Sequence, residues 1–212
     1  MRLYGYFRSG TSHRVRIALN LKGLTYETVP VHLLKGEQRQ ESYLAVNPQG
    51  LVPTLEHDGT RIGQSLAIIE YLERIHPEPP LLPKDPAGQA RVRALALICA
   101  CDMHPLGNLR VLQYLKNVLG LDQEARDAWC RHWMATGFEA LEARLAGEPE
   151  TGRFCHGDAP TLADVCLVPQ VVGAQRWGTD LGPYPTVRRI FDAGMALDAF
   201  VRAMPASQPD AA

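Results

Sequence analysis

Apolar and polar positions repeat with strand and helix periods through the first third of the chain. A strand pattern over 2–7 and a helix pattern over 12–21 are followed by a second strand pattern over 26–31. Residues 35–46 are polar and predict a short or irregular helix. Strand patterns over 52–56 and 60–62 flank Asp58–Gly59, a strong hairpin signal, and a helix pattern runs from Gln64 to His76. The order βαβαββα predicts a small α/β domain with helices on the faces of a sheet.

The remainder of the chain has helical periodicity and almost no strand pattern. Helices are predicted over 89–119, 123–145, 161–175 and 186–200. Between the two halves, the segment HPEPPLLPKDPAG holds five prolines, which predicts a stiff and extended linker. We therefore expect an α/β domain over 1–78, a linker over 79–87 and an all-helical domain over 88–212.

Charge and composition argue against several kinds of partner. The 22 basic and 23 acidic residues nearly cancel, so no strong field favours nucleic acid or an anionic membrane. No apolar run is long enough to span a bilayer, and the first strand pattern begins at once, so we expect no signal peptide. The five cysteines lack paired C-x-x-C spacing, which argues against metal binding and disulfides and for a cytoplasmic location.

The junction between the first strand and the first helix is the first candidate for chemistry. It reads Arg8–Ser9–Gly10–Thr11–Ser12. Such a junction directs hydroxyls and free backbone N–H groups at one spot, beside the positive end of a helix dipole. This arrangement holds an anion such as a thiolate. On these residues alone, an ordinary helix cap is the alternative.

Segments along nearly the whole chain are similar to the zeta class of the cytosolic glutathione transferases. The matching segments are FRSGTSHRVRIALNLKG, Asn47–Pro48, Val52–Pro53–Thr54–Leu55, QSLAIIEYL from Gln64, Leu81–Leu82–Pro83, DVCLVPQ from Asp164, and Tyr184–Pro185–Thr186. Thr161 and Asp164 add the spacing of a capping box. The resemblance implies a thioredoxin-like N-terminal domain, an all-α C-terminal domain and a two-fold homodimer.

The resemblance also implies glutathione as the cofactor. Val52 precedes a cis-proline and presents its backbone to the cysteinyl part, and Gln64 and Ser65 open a helix toward the γ-glutamyl carboxylate. Ser9 is the expected donor to the glutathione sulfur, and Thr11 stands where the family commonly has a cysteine. The other matched glutathione positions are Gly10, Gln38, Asp102, His104, Asn108 and Arg110.

Some of these matched positions carry further expectations. Asp102 is expected to reach the partner's glutathione across a dimer interface, as acidic residues do in related transferases. His104 and Asn108 are spaced i,i+4 and are expected to share a helix face. For Gln38, the alternative is a solvated loop residue.

The family includes maleylacetoacetate isomerases and bacterial maleylpyruvate isomerases, and the chain most resembles the latter group. A maleyl substrate is a dicarboxylate, and guanidinium groups bind carboxylates in bidentate fashion. Arg8 and Arg176 are therefore the expected catalytic arginines, beside Ser9 and Thr11. For each arginine, a solvated surface charge is the alternative. The implied reaction is the glutathione-dependent cis–trans isomerisation of maleylpyruvate to fumarylpyruvate in aromatic catabolism, by reversible thiolate addition.

Two other activities would use the same glutathione site: maleylacetoacetate isomerisation in tyrosine catabolism and glutathione transfer with broad specificity. A non-catalytic interaction role on the same fold is a third alternative, and such a protein would be expected to lack the Arg8, Ser9 and Arg176 set, which this chain keeps. A serine hydrolase built on Ser9 is disfavoured, because the chain has no G-x-S-x-G motif.

Overall fold

The computed structural model describes residues 1–211 of the 212-residue chain. The chain divides into two compact units. The first comprises Met1–Leu81 together with the C-terminal residues from Met195 onward, and the second comprises Leu82–Gly194.

The first unit contains a mixed four-stranded sheet. Its strands are β1 (Arg2–Gly5), β2 (Glu27–Pro30), β3 (Thr54–His57) and β4 (Thr60–Gly63), in the spatial order β2-β1-β3-β4. β1 is parallel to β2 and antiparallel to β3, and β3 is antiparallel to β4. Three helices belong to the same stretch of chain: α1 (Gly10–Leu21), α2 (Glu41–Leu44) and α3 (Ser65–Ile75). This βαβαββα order confirms the predicted α/β domain.

The core of this unit is formed by the inward faces of the sheet and two helices. α1 and α3 contact each other, and α3 also contacts β3 and β4. Fully buried members are Leu3, Val15, Ile17, Leu55, Ile68 and Leu72. The β3–β4 turn is also as predicted, since Asp58 and Gly59 both have positive φ, at 48° and 77°.

The C-terminal segment packs on α1 within the first unit. It contains α9 (Asp198–Val201), whose Ala199 carbonyl accepts a 2.9 Å hydrogen bond from Asn20 Nδ2. The Ala203 carbonyl likewise accepts a 3.0 Å bond from Arg16 Nε. The predicted division assigned this segment to the helical domain by its helical periodicity. Periodicity gives the type of an element but not the face on which it packs.

The second unit is helical throughout its regular elements. Its helices are α4 (Pro86–Leu97), α5 (Leu109–Asn117), α6 (Gln123–Gly147), α7 (Leu162–Arg176) and α8 (Pro185–Met195), the last of which ends at the unit boundary. α7 begins with the predicted capping box, in which Asp164 Oδ2 accepts bonds from the Thr161 N–H and hydroxyl, each at 2.8 Å.

The single helix predicted over 89–119 is wrong, because α4 and α5 are separated by irregular helical turns. A π-helical segment, Ile98–Met103, is followed by a 3-10 turn, His104–Gly107. Pro105 has no N–H for an α-helical bond, and Asn108 caps the new helix by accepting from the Arg110 N–H at 3.1 Å. The chain therefore restarts its helix at Leu109.

No helix in residues 1–211 combines the length and apolar character that crossing a membrane requires. Over the same residues, no cluster of three or more His, Cys, Asp or Glu side chains is arranged to hold a metal ion.

Candidate active site

Ser9 lies at the N-cap of α1, immediately after the turn that follows β1. Its backbone is extended, with φ −71° and ψ 118°, and its Oγ accepts a 3.2 Å bond from the Ser12 N–H. The Ser9 N–H donates to the Tyr6 carbonyl at 3.0 Å, which closes the turn. α1 has no acidic residue in its first turn, so its positive end is not neutralised by its own sequence.

Gly5 allows the strand to approach this helix start closely. A Cβ atom at Gly5 would lie 3.1 Å from Ser12 Oγ, the hydroxyl that faces the strand end. The close approach brings the end of β1 and the first turn of α1 together, and so it helps to define where Ser9 sits.

Thr11 connects Ser9 to the loop before β3. The Ser9 and Thr11 hydroxyl oxygens are 2.8 Å apart, and the Thr11 hydroxyl donates to the Val52 carbonyl at 2.9 Å. Because Thr11 has one hydroxyl proton, Ser9 is the donor to Thr11 whenever Thr11 donates to Val52. If Thr11 instead turns its proton to Ser9, the Ser9 proton becomes available to a third group.

The loop that carries Val52 is held by side chains from the preceding segment. The Tyr43 hydroxyl and Asn47 Nδ2 both donate to the Leu51 carbonyl, at 2.7 and 2.8 Å. The Val52–Pro53 peptide bond is cis, as the resemblance implies. No role was predicted for Tyr43, because its place in an irregular polar segment offers no periodic signal.

The start of α3 is a second helix N-terminus in the first unit, and it has no side-chain cap. Gln64 has a positive φ of 65°, unusual for a residue other than glycine, and its side chain makes no cap bond to the helix. Its Nε2 donates instead to Gln49 Oε1 at 3.0 Å, a partner that was not predicted from the sequence. Ser65 follows and is buried. The first N–H groups of α3 are thus left for an anion.

Gln38 is buried rather than solvated. It is 7% exposed, and its Oε1 has no hydrogen-bond partner in the described residues. A buried acceptor without a partner is costly unless a further group donates to it. The solvated alternative for this residue is therefore wrong.

The remaining predicted site residues divide between the two units. Arg8 belongs to the first unit and is exposed, one residue before Ser9. Arg176 ends α7 in the second unit and is exposed, with its guanidinium carbon 5.6 Å from the ring centroid of Trp177. The other predicted residues of the second unit are Asp102, His104, Asn108 and Arg110.

The expected common helix face of His104 and Asn108 is wrong. His104 begins the 3-10 turn, whereas Asn108 is extended, with φ −67° and ψ 144°, and uses its side chain to cap α5. Asp102 is exposed in the π-helical segment, and Arg110 is exposed in the first turn of α5.

Burial keeps His13 and two of the cysteines in their neutral forms. Burial, with the nearby charges of Arg16 and Arg14, lowers the pKa of His13 to about 3, so this neighbour of the site stays neutral. Burial raises the pKa of Cys130 to about 11 and the pKa of Cys155 well above its usual value. These thiols stay protonated at neutral pH and pack as small apolar side chains.

The residues present fit glutathione. Ser9 and Thr11 offer hydroxyls at the positive end of α1, which suits a thiolate. The uncapped start of α3 suits a carboxylate, and the free acceptor of Gln38 suits an N–H group of a peptide. The backbone beside the cis-proline is held in place by Tyr43 and Asn47.

Comparison with protein families agrees with this geometry. Residues 3–80 match the glutathione S-transferase N-terminal domain, and residues 123–193 match the C-terminal domain. The maleylpyruvate isomerase of Ralstonia sp is 54% identical over 212 residues, which is 100% of both chains.

Solved structures are similar over the whole chain. The holo structure of a maleylpyruvate isomerase, a bacterial glutathione S-transferase of the zeta class, has a TM-score of 0.99 at 54% identity and full coverage of both chains. The maleylacetoacetate isomerase of Methylobacterium extorquens AM1, with bound malonate and glutathione, has a TM-score of 0.97 at 47% identity, again with full coverage of both. The maleylacetoacetate isomerase of Anaeromyxobacter dehalogenans 2CP-1 was solved with bound dicarboxyethyl glutathione and citrate. It has a TM-score of 0.88 at 46% identity, and the match covers 100% of this chain and 93% of that one.

These matches span both units at identities far above those at which only the fold is shared. They confirm the predicted architecture and the family resemblance. The chain belongs to the zeta class of the glutathione S-transferase family.

Proposed function

We propose that the protein is a glutathione-dependent isomerase that converts maleylpyruvate to fumarylpyruvate in gentisate-type aromatic catabolism. The observation that carries the proposal is the Ser9–Thr11–Val52 hydrogen-bond chain at the positive end of α1, in a protein 54% identical to a maleylpyruvate isomerase. When Thr11 turns its proton to Ser9, the Ser9 hydroxyl becomes a donor for a bound thiolate, and the relative's name supports the choice of substrate.

Glutathione is bound in this proposal by three features of the first unit. The Val52 backbone pairs with its cysteinyl part, the start of α3 at Gln64 and Ser65 receives its γ-glutamyl carboxylate, and Gln38 accepts one of its N–H groups. Gly10 contributes backbone to the same turn as Ser9. In the second unit, the proposed further glutathione contacts, on the strength of the resemblance, are His104, Asn108 and Arg110.

When bound, glutathione supplies a thiolate that adds reversibly to the cis double bond, so that the bond can rotate before the thiolate leaves. Ser9 stabilises the sulfur anion by donating a hydrogen bond from its hydroxyl, and Thr11 orients that hydroxyl. Arg8 and Arg176 each bind substrate carboxylate or carbonyl oxygens and favour the negative charge that develops there. The bound dicarboxyethyl glutathione of one relative supports this chemistry, because it is the thioether of glutathione with a four-carbon diacid.

Maleylacetoacetate isomerisation is the second candidate. Relatives of that name share 47% and 46% identity in the solved structures, with malonate or a diacid adduct bound. The two substrates share the maleyl end and differ beyond it, so the same sulfur and carboxylate contacts serve both reactions.

The test is to assay the purified protein with each substrate, with and without glutathione. We expect no turnover without glutathione, full turnover on its addition, and a higher kcat/KM for maleylpyruvate. Free thiol should stay constant, because an isomerase returns its glutathione whereas a transferase consumes it. Full turnover without glutathione would refute the mechanism, and a higher kcat/KM for maleylacetoacetate would select the second candidate.

We further propose that the protein works in the cytoplasm as a homodimer, without nucleic acid or membrane partners. Glutathione and a small dicarboxylate are then its only ligands. Asp102 is proposed to contribute to the partner's glutathione site, since it is an exposed carboxylate at the position that the resemblance matches to such a contact.

A further inference from the structure

Both backbone polar groups of Phe7 are bonded to charged side chains. Its N–H donates to Asp210 Oδ2 at 2.9 Å, and its carbonyl accepts from Arg16 Nη2 at 3.0 Å. Phe7 lies in the turn between β1 and α1, where neither group belongs to the sheet or to a helix. The conformation of this turn therefore depends on Arg16 and on the C-terminal segment.

Arg16 bonds both the Phe7 turn and the C-terminal segment. It is 3% exposed, and while one arm of its guanidinium bonds Phe7, its Nε donates to the Ala203 carbonyl at 3.0 Å. Burial lowers the pKa of Arg16 to about 10, and the negative charge of Asp210 opposes that shift. The flat guanidinium suits a bridge between two carbonyls, because its N–H groups point in fixed directions.

The C-terminal segment is itself ordered up to Asp210. Gln208 is buried, and its Nε2 donates to the Arg202 and Met204 carbonyls at 2.8 and 2.9 Å. This bonding brings Asp210 back to the sheet unit, 203 positions along the chain from the Phe7 N–H that it accepts.

The turn held in this way carries the residues on which the chemistry rests. Arg8 and Ser9 directly follow Phe7, and the Ser9 N–H bonds the carbonyl of Tyr6, on the other side of Phe7. A shift of the Phe7 backbone therefore moves the Ser9 hydroxyl and the base of the Arg8 side chain. Displacements of about 1 Å in such groups are enough to slow a reaction by orders of magnitude.

We propose that Arg16 and Asp210 are positioning residues of the active site, which hold the Phe7 backbone so that Ser9 meets the glutathione sulfur. The C-terminal segment then helps to position the Ser9 hydroxyl of the thiolate site. This inference rests on the proposed function, because it assigns the two residues through Ser9.

The experiment measures the thiol pKa of bound glutathione from its thiolate ultraviolet absorbance, alongside kcat and KM. Asp210→Ala removes the acceptor of the Phe7 N–H. We expect the thiol pKa to rise by about one unit, which leaves about tenfold less thiolate below that pKa and lowers kcat to match. Asp210→Asn keeps an acceptor oxygen and should restore most of kcat.

Asn20→Ala is the matched control. It removes a hydrogen bond from α1 to the C-terminal segment, at Ala199, but it does not touch Phe7. It should leave the thiol pKa and kcat at the wild-type values, even where it lowers the melting temperature. A purely structural role for the segment would instead give Asn20→Ala and Asp210→Ala the same profile.

The outcomes separate this inference from the proposed function. If the wild type binds no glutathione, the proposed function fails. If the wild type is active, and Asp210→Ala shows the same thiol pKa and the same kcat as the wild type, the positioning role is refuted. Should Asp210→Ala not fold, Arg16→Lys decides: it keeps the charge but not the two-carbonyl bridge, and an unchanged thiol pKa in that variant also refutes the role.

Discussion

Thr11 determines the direction of the hydrogen bonds between the Ser9 hydroxyl and the Val52 carbonyl. In the structure its proton goes to the Val52 carbonyl, so the Ser9 proton goes to Thr11. A cysteinyl N–H of glutathione at the Val52 carbonyl would compete with Thr11 for that acceptor. Thr11 would then donate to Ser9 and strengthen the Ser9 hydroxyl as a donor to sulfur.

Thr11→Val should therefore weaken thiolate stabilisation without disturbing the shape of the turn. We expect kcat/KM to fall roughly two- to tenfold, the effect of losing one hydrogen bond worth about 1 kcal/mol. The fall should come with a higher thiol pKa of bound glutathione. Thr11→Ser retains the hydroxyl and should stay close to the wild type. A Thr11→Val variant with unchanged thiol pKa would exclude the hydroxyl from this role.

His13 makes the stability of the protein depend on pH. It is 1% exposed, and burial lowers its pKa to about 3, whereas in the unfolded chain it titrates at about 6.5. Between these values the unfolded state binds the proton and the folded state does not. The stabilisation is therefore complete above the unfolded pKa and is lost as the pH falls through this window.

The measurement is chemical denaturation between pH 7 and pH 4. We expect the free energy of unfolding to fall by up to about 1.4 kcal/mol per pH unit from this residue below its unfolded pKa. His13→Gln should remove that part of the slope, while His132→Gln, at an exposed position, should keep it. If the free energy of unfolding depended on pH equally in all three proteins, His13 would not take up a proton on unfolding.

Among the elements, α7 depends on a single buried carboxylate. Asp164 Oδ2 bonds Thr161 twice, and Oδ1 accepts from the Cys155 N–H at 2.8 Å. Burial raises the pKa of Asp164, and the bonds from Cys155 and Thr161 oppose that shift. One side chain thus ties the start of α7 to the preceding loop, as the spacing of Thr161 and Asp164 predicts in part.

Asp164→Ala should cost about 2–4 kcal/mol of unfolding free energy, because it removes a cap and leaves buried N–H groups without acceptors. Asp122→Ala is the matched control. Asp122 caps α6 at an exposed site, where it accepts one 2.8 Å bond from the Ala125 N–H, and its loss should cost about 1 kcal/mol. Similar losses in denaturant melts would contradict the special role of the buried carboxylate.

The break between α4 and α5 shows where periodicity misleads. The apolar spacing continues across it, so the sequence predicts one helix over 89–119. Pro105 and Gly107 indicate that an α-helix is disfavoured here, but they do not specify the π-helical turn before them or the new cap at Asn108. The placement of the site residues predicted between positions 102 and 110 follows from that break.

At the scale of the whole molecule, large apolar side chains stay exposed on both units, and two of them flank Asp102 in the sequence, the residue proposed to reach the partner subunit. Leu97 on α4 is 41% exposed, and Tyr114 near the end of α5 is 56% exposed. Such residues often become buried when a partner subunit is present. They support the proposed homodimer.

Sedimentation velocity should therefore give twice the mass of the 23.4 kDa chain at micromolar concentration. Leu97→Glu should shift the population toward monomer, because it places a charge among apolar contacts. Leu34→Glu, at a position 63% exposed on the first unit, is the control and should remain dimeric. A wild type that sediments as a monomer throughout would refute the homodimer.

The sequence alone determined the features that form over a few neighbouring residues. These include the strand–turn–helix at Ser9, the Asp58–Gly59 hairpin and the Thr161–Asp164 capping box. Each depends on the preferences of single side chains and on hydrogen bonds within one turn, which a local pattern encodes directly. The order of such elements, with the family resemblance, was also enough to predict the fold.

Only the tertiary structure decided which distant groups meet. The Thr11 hydroxyl reaches the Val52 carbonyl 41 positions away, and Asp210 reaches the Phe7 N–H 203 positions away. The burial of Gln38 belongs to the same class. Nothing in the local pattern at Asp210 distinguishes it from an ordinary polar residue of a C-terminal tail. Asp210 meets Phe7 only once α1, the sheet and the tail have packed, because that packing brings the tail carboxylate to the turn between β1 and α1.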